Sequence, residues 1–324
     1  MSTVATALGE VSTDDLGPTL SHEHLFINMM QERRGDGLVH DEALLIDELN
    51  VFARQGGGTI FDLTTAELTP GSTPDSDPGF DAHHHGQTRN PKAVEGIQRI
   101  SKATGVHVVL GAGRYRDPFL PADLIREVGT DGIAEEMIRD LTEGIPGTTA
   151  RAGIIGEIGA DRWYVSELEA QVFRASARAH LKTGAAVYTH AARWHVGLEQ
   201  LEILRAEGAD PAKIVIGHTD TVPTPGYALQ LAKEGVFVGL DTINSKNPRE
   251  VAHRVGQVME LVRAGYLERI LLAHDVCIMS QLSAYGGNGF GFVLGGFRDA
   301  LLAAGLDEGE FKEIITGNPA RLLE

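Results

Sequence analysis

The sequence predicts an α/β fold of one kind, a (β/α)8 TIM barrel. Short β-rich runs alternate with amphipathic helical stretches, and eight such runs end near His24, Leu63, Gly111, Glu157, His190, His218, Leu240 and Asp275. No Ser/Pro-rich linker divides the 324 residues, so residues 1–324 read as one barrel domain. A doubly wound sheet is the competitor, but no Gly-x-Gly-x-x-Gly follows the first strand to bind a dinucleotide phosphate.

Taken in order, the first run closes on "LSHEHLF", Leu20 to Phe26. Residues two apart in a strand share a face, so His22 and His24 project together and Glu23 points away. After the second run, residues 66–90 contain Pro70, Pro74 and Pro78 and show neither helical nor strand period. So long a loop at the catalytic face is expected to be a lid or a dimer contact. Its adjacent His83, His84 and His85 diverge, which reads as a solvated loop rather than a third metal site. "NPKAVEGIQRI" starts a helix with Asn90 as N-cap and Pro91 in the first turn, and aligns Val94, Ile97 and Ile100 on one face. A Ser166/Glu169 capping box opens the next clear helix, which closes at Gly184, and Asn247–Pro248 repeats the Asn-Pro start. After the eighth run, "MSQLSAYGGNGFGF" mixes Gly286, Gly287, Gly289 and Gly291 with Tyr285, Phe290 and Phe292. Either those aromatics form a flap over an acyl chain, or they simply pack.

Composition removes several classes of function. A hydrophobic content of 42% can fill a large core, and 28 Lys plus Arg face 45 Asp plus Glu, for a formal charge of −17. With no basic cluster, neither nucleic acid nor an anionic membrane is an expected partner. The N-terminal stretch lacks the pattern of a signal peptide, and no apolar run is long enough to span a bilayer, so the expected location is cytoplasmic. Cys277 is the single cysteine, so any metal is held by nitrogen and oxygen.

In such barrels the catalytic groups stand at the C-terminal ends of the strands. His22, His24, Glu157, His190, His218 and Asp275 all fall there, at the ends of five runs. Imidazole and carboxylate together suit zinc, manganese, iron or cobalt. The bland alternative is a set of buried structural histidines.

These residues lie in motifs that run through the whole chain: "LSHEHLF", "DLTTAELTP", "GAGRY", "GEIG", "YTHAA", "ILRAEGADPAKIVIGHTD", "GVFVGLD", "ILLAHDVC" and "TGNPARLL". Together they resemble the phosphotriesterase-like group of the amidohydrolase superfamily. The resemblance implies a binuclear centre of two divalent ions sharing a hydroxide, with His22, His24 and Asp275 on the more buried ion and His190 and His218 on the other. It also implies hydrolysis of lactones, carboxylic esters or organophosphate triesters, and makes a homodimer an expectation. One departure stands at the bridge. The family commonly uses a carbamylated lysine, but strand four reads "AGIIGEIGADRW" and the next lysine is Lys182, so Glu157 is expected to bridge, as in a glutamate-using branch.

The chemistry expected is a metal-activated hydroxide attacking a carbonyl, with Asp275 taking its proton and passing it to the leaving group. Tyr115 matches a family position that hydrogen-bonds the hydroxide or orients a lactone; packing at the barrel mouth is its other reading. Arg114 and Arg193 are read as substrate contacts or as surface salt bridges, and His274 as structural. The expected function is a lactonase or carboxylic esterase, with acyl-homoserine lactones foremost. Phosphotriester hydrolysis is the alternative activity, and a non-catalytic binding barrel the alternative of another class.

Overall fold

The computed structural model describes residues 2–73 and 86–324. Eight strands form one parallel sheet: β1 (Thr19–Glu23), β2 (Thr59–Asp62), β3 (His107–Ala112), β4 (Ile154–Gly159), β5 (Val187–His190), β6 (Ile214–Gly217), β7 (Phe237–Leu240) and β8 (Ile270–Leu272). Neighbours in sequence are neighbours in the sheet, which curls until β8 meets β1. There the Asp275 N–H donates to the His22 carbonyl at 3.2 Å and Ser21 Oγ donates to the Leu272 carbonyl at 3.3 Å. The expected (β/α)8 barrel is the fold observed.

The connecting helices include α1 (Glu42–Arg54), α2 (Pro91–Thr104), α3 (Ala122–Thr142), α4 (Glu167–Thr183), α5 (Val196–Ala206), α6 (Tyr227–Lys233) and α7 (Pro248–Arg263). Their starts follow the capping chemistry read from sequence. Asn90 accepts from the Lys92 N–H, both halves of the Ser166/Glu169 box are formed, and Asn247 accepts from the Arg249 N–H. Val94, Ile97 and Ile100 are buried against the sheet. No helix among the described residues is long and apolar enough to cross a membrane.

The barrel lumen is closed below the site by Phe61, Val109, Ile154, Tyr188, Val215, Phe237 and Leu271. Simple alternation from Ile154 would aim Glu157 away from them. A register shift between Ile155 and Ile158 in the β4–β5 pairing turns Glu157 inward instead. Gly156 makes the turn possible: its φ is 134°, and a Cβ there would lie 2.5 Å from the Tyr188 carbonyl oxygen.

Two features differ from the sequence reading. An antiparallel hairpin, Thr3–Thr6 with Gly9–Ser12, precedes the barrel, and the following Ala7 N–H bonds the Val108 carbonyl at the N-terminal end of β3. The segment after β8 is pinned rather than free. Gln281 Oε1 accepts from the Cys277 and Ile278 N–H groups, Asp36 accepts from Ser280, and Glu48 accepts from Ser283 and Ala284. Phe290 is fully buried and Phe292 packs against the core, so packing wins over the flap. His83, His84 and His85 lie outside the described residues.

Candidate metal centre

His22 and His24 leave β1 on one face, and Glu23 leaves on the other, as the period of two requires. Glu23 there accepts from the His274 and Val276 N–H groups and from His274 Nδ1, at 2.8 to 3.0 Å. His274 Nε2 accepts from the Val293 N–H at 2.9 Å, which makes this ring a structural tie. His218 and Asp275 sit one and three residues beyond their strands, both with left-handed φ, 56° and 53°. Such a backbone turns each side chain back over the barrel mouth.

Glu157 is the hub. Its Oε1 lies 3.6 Å from His24 Nε2, and its Oε2 lies 2.9 Å from His190 Nδ1, 3.4 Å from His22 Nε2 and 3.6 Å from His218 Nε2. Two sets with metal-ligand spacing result, His22–His24–Glu157 and Glu157–His190–His218, and Glu157 belongs to both. Asp275 Oδ1 stands 3.3 Å from His24 Nε2 and 4.0 Å from His22 Nε2. The six residues read from sequence therefore converge.

A third set, His22–His218–Asp241, has a different role. Asp241 meets the opposite ring nitrogens, accepting from His22 Nδ1 at 3.2 Å and His218 Nδ1 at 2.8 Å. It also accepts the His218 N–H at 2.8 Å and the Tyr188 hydroxyl at 2.7 Å. One carboxylate thus orients two rings so that both Nε2 atoms face Glu157, the usual outer partner of a metal-binding histidine. His24 Nδ1 is tied in the same manner to Thr64 Oγ1 at 2.9 Å.

The electrostatics favour cations. Burial opposes charge on His22, but Glu157 and Asp241 outweigh it and push its pKa up to about 10. Burial likewise opposes charge on His218, and Asp241 holds it well above the ordinary imidazole value. His190 falls to about 4, because it is buried and faces charged His218. Burial would raise Glu157, yet His22 and His190 hold it far below the usual carboxylate range. His22 Nε2 is fully buried and makes no hydrogen bond. An orphaned imidazole nitrogen among carboxylates and three further histidines is a donor set that fits a divalent transition metal.

A cavity of about 700 Å3 opens above this cluster. His24, Tyr115, Arg116, Glu157, His190 and Asp275 line its floor, with Ile278 and Gln281 from the segment after β8. Tyr115 is buried, with its hydroxyl 3.3 Å from His190 Nδ1 and its ring beside Phe119 at 5.5 Å. Arg193 lines the cavity, whereas Arg114 does not. Arg114 is wholly buried between Glu67 and Glu136 at 2.8 and 2.7 Å, neither a substrate contact nor a surface pair. Sequence reasoning missed Asp241, Tyr188 and Arg116. Asp241 carried a signal, a carboxylate one residue past the β7 run; Tyr188 shares the inward parity of His190.

The phosphotriesterase family model matches residues 2–71 and 84–323. A phosphotriesterase homology protein of Escherichia coli is 29% identical over 97% of this chain and 100% of its own length. Its crystal structure, with phosphate in the active site, superposes with a TM-score of 0.84 at 28% identity, covering 96% of this chain and 100% of that one. An N-acetyltaurine hydrolase of Danio rerio is 30% identical over 99% of this chain and 97% of its own. A lactonase from Listeria monocytogenes superposes with a TM-score of 0.85 at 27% identity, covering 100% and 99% of the two chains.

Proposed function

We propose that this chain, which belongs to the phosphotriesterase family, opens lactones or cleaves carboxylic esters on a binuclear metal centre. That it is a hydrolytic enzyme of the phosphotriesterase type follows from the family and the named relatives. The observation that carries the binuclear reading is the sharing of Glu157 between two ligand sets.

In this reading His22, His24 and Asp275 hold one ion, His190 and His218 the other, and Glu157 joins them. Zinc suits the donors first, and manganese, iron or cobalt also fit. Divalent ions supply an acidified water and a Lewis acid for the substrate oxygen. The chain's own groups do the rest. Asp241, through the Nδ1 atoms, keeps the His22 and His218 rings aimed. Tyr115, fixed between Phe119 and His190, offers its hydroxyl to a substrate oxygen at the cavity floor. Asp275 keeps 20% of its side chain open to the cavity, which suits it to hold a proton on Oδ and return it to the leaving alkoxide.

Lactones are the foremost class, supported by the Listeria lactonase, and acyl-homoserine lactones are the first of them to test. The Danio relative's name adds amides as a second carbonyl class. Phosphotriesters rank behind, since among the described cavity residues the aromatics are Tyr115 and Trp194 alone. The test is metal analysis of freshly purified protein beside a panel of lactones, esters, amides and phosphotriesters. Two ions per chain with turnover of a carbonyl substrate is expected, and reconstitution should need no bicarbonate because Glu157 is already a carboxylate. A bicarbonate requirement, or one ion at full activity, would overturn the bridge; fully metallated protein inert to the whole panel would overturn the substrate class.

A further inference from the structure

The chain carries a formal charge of −17, yet the cavity wall outside the ligand cluster is not acidic. Arg33, Arg116 and Arg193 line it, against Glu32 and Asp161. Both acids are consumed by Arg116, which takes Glu32 in a bidentate grip at 2.8 Å and also binds Asp161. Arg33 and Arg193 have no ion pair or side-chain hydrogen bond among the described residues, and both are exposed. Two guanidinium groups without a partner among the described residues thus line a cavity in a strongly acidic protein.

Arg116 adds a second, independent observation. Its side chain is 8% exposed, and its Nε–H has no acceptor among the described residues. A buried donor left unpaired is costly unless a ligand completes it. Its guanidinium lies 4.8 Å from the centre of the Tyr115 ring, whose hydroxyl is 3.3 Å from His190. The unfilled donor is therefore about one side chain away from the ligand cluster.

We propose that the cavity selects substrates bearing an anionic group, a carboxylate or sulfonate, a few bonds from the scissile carbonyl. Arg33 and Arg193 attract and hold the anion, and the Arg116 Nε–H completes its contacts. The inference rests on the hydrolase reading above and specifies its substrate class, placing anionic acyl substrates ahead of the uncharged acyl-homoserine lactones. Low-dielectric walls focus such a field, so the attraction acts on encounter as well as in the complex.

The experiment uses metal-loaded full-length protein and a matched pair of acyl substrates, one ending in a sulfonate and the other in a neutral primary amide of similar length. The anionic member should have the higher kcat/KM by at least about tenfold, chiefly through KM, and the preference should shrink as salt is raised. Arg33→Gln and Arg193→Gln, at exposed positions, should each lower that preference, and together remove most of it. Arg116→Lys, which keeps the charge and loses the Nε–H, should lower it further. A readout independent of turnover is at hand: both tryptophans of the chain, Trp163 and Trp194, meet at 6.1 Å, and Trp194 lines the cavity. Their fluorescence, titrated with the anionic and then the neutral product, reports binding directly. Equal kcat/KM for the pair, or equal product affinities unaltered in the double variant, would overturn the proposal. Failure to turn over either member would fault the hydrolase reading, while the fluorescence titration still decided the charge preference.

Discussion

At the scale of single residues, the site is built by carboxylates with unlike surroundings. Glu157 is nearly sealed among imidazoles at the cavity floor, Asp241 is sealed behind them, and Asp275 is the most open of the three. The environments of Asp275 and Asp241 predict different defects. In Asp275→Asn the amide still coordinates weakly but cannot carry a proton, so turnover should fall at least about a hundredfold while much of the metal is retained. Steady-state kinetics beside metal content separates the two effects, and near-normal turnover would remove Asp275 from the chemistry. In Asp241→Asn the side chain offers one acceptor where two rings need one each. Metal affinity or turnover should drop about 10- to 100-fold, the scale for outer partners of metal ligands. Equilibrium dialysis showing unchanged affinity, with unchanged turnover, would refute the orienting role. The candidate ligands were legible because each is a histidine or acid at a strand end. Asp241 was missed because the seventh run closes at Leu240, and Arg116 because sequence cannot tell which of two nearby arginines, Arg114 or Arg116, finds buried acids and which lines the cavity.

At the scale of elements, the strands and helix starts were readable from alternation and capping, and the departures arise where tertiary contacts override the local pattern. Parity along "GIIGE" sets Ile154 and Glu157 on opposite faces, and the β4 register shift, invisible in the sequence, brings both inward. The glycine-rich segment after β8 suggested mobility from composition alone. Its anchors, Asp36, Glu48 and the Gln281 side chain, are 235 to 244 residues away for the first two and local for the third. No window of sequence exposes such distant partners. Because Phe290 is fully buried, Phe290→Ala should cost about 3–5 kcal/mol of stability, the range for removing a core aromatic. The ratio of activities on long and short acyl chains should stay that of the parent protein. Denaturant titration with a chain-length series checks both, and a selective loss on long chains at unchanged stability would restore the flap.

At the scale of the whole molecule, barrel closure forces four histidines and three carboxylates into one place, and the balance of charge there couples metal, protons and stability. The β8–β1 seam runs through the candidate ligands themselves, since the Asp275 N–H bonds the His22 carbonyl. In metal-free protein protons do part of the work of cations. His22, raised from 6.5 to about 10, is an imidazolium at about pH 8, and a metal can take its Nε2 only after that proton leaves. The sign follows from the direction of the shift. A raised folded-state value contributes stability that is fully present below about 6.5 and is lost as pH rises through about 10. The melting temperature of metal-free protein should therefore fall between about pH 7 and pH 10, and saturating metal should flatten the decline because its charge replaces the proton's. Metal uptake at about pH 8 should release protons, seen in calorimetry as a binding enthalpy that varies with the ionisation enthalpy of the buffer, and apparent affinity should rise with pH across the same window. A buffer-independent enthalpy at that pH, with a metal-free melting temperature flat to about pH 10, would mean that His22 is neutral before metal arrives and that Glu157 and Asp241 are balanced by some other charge.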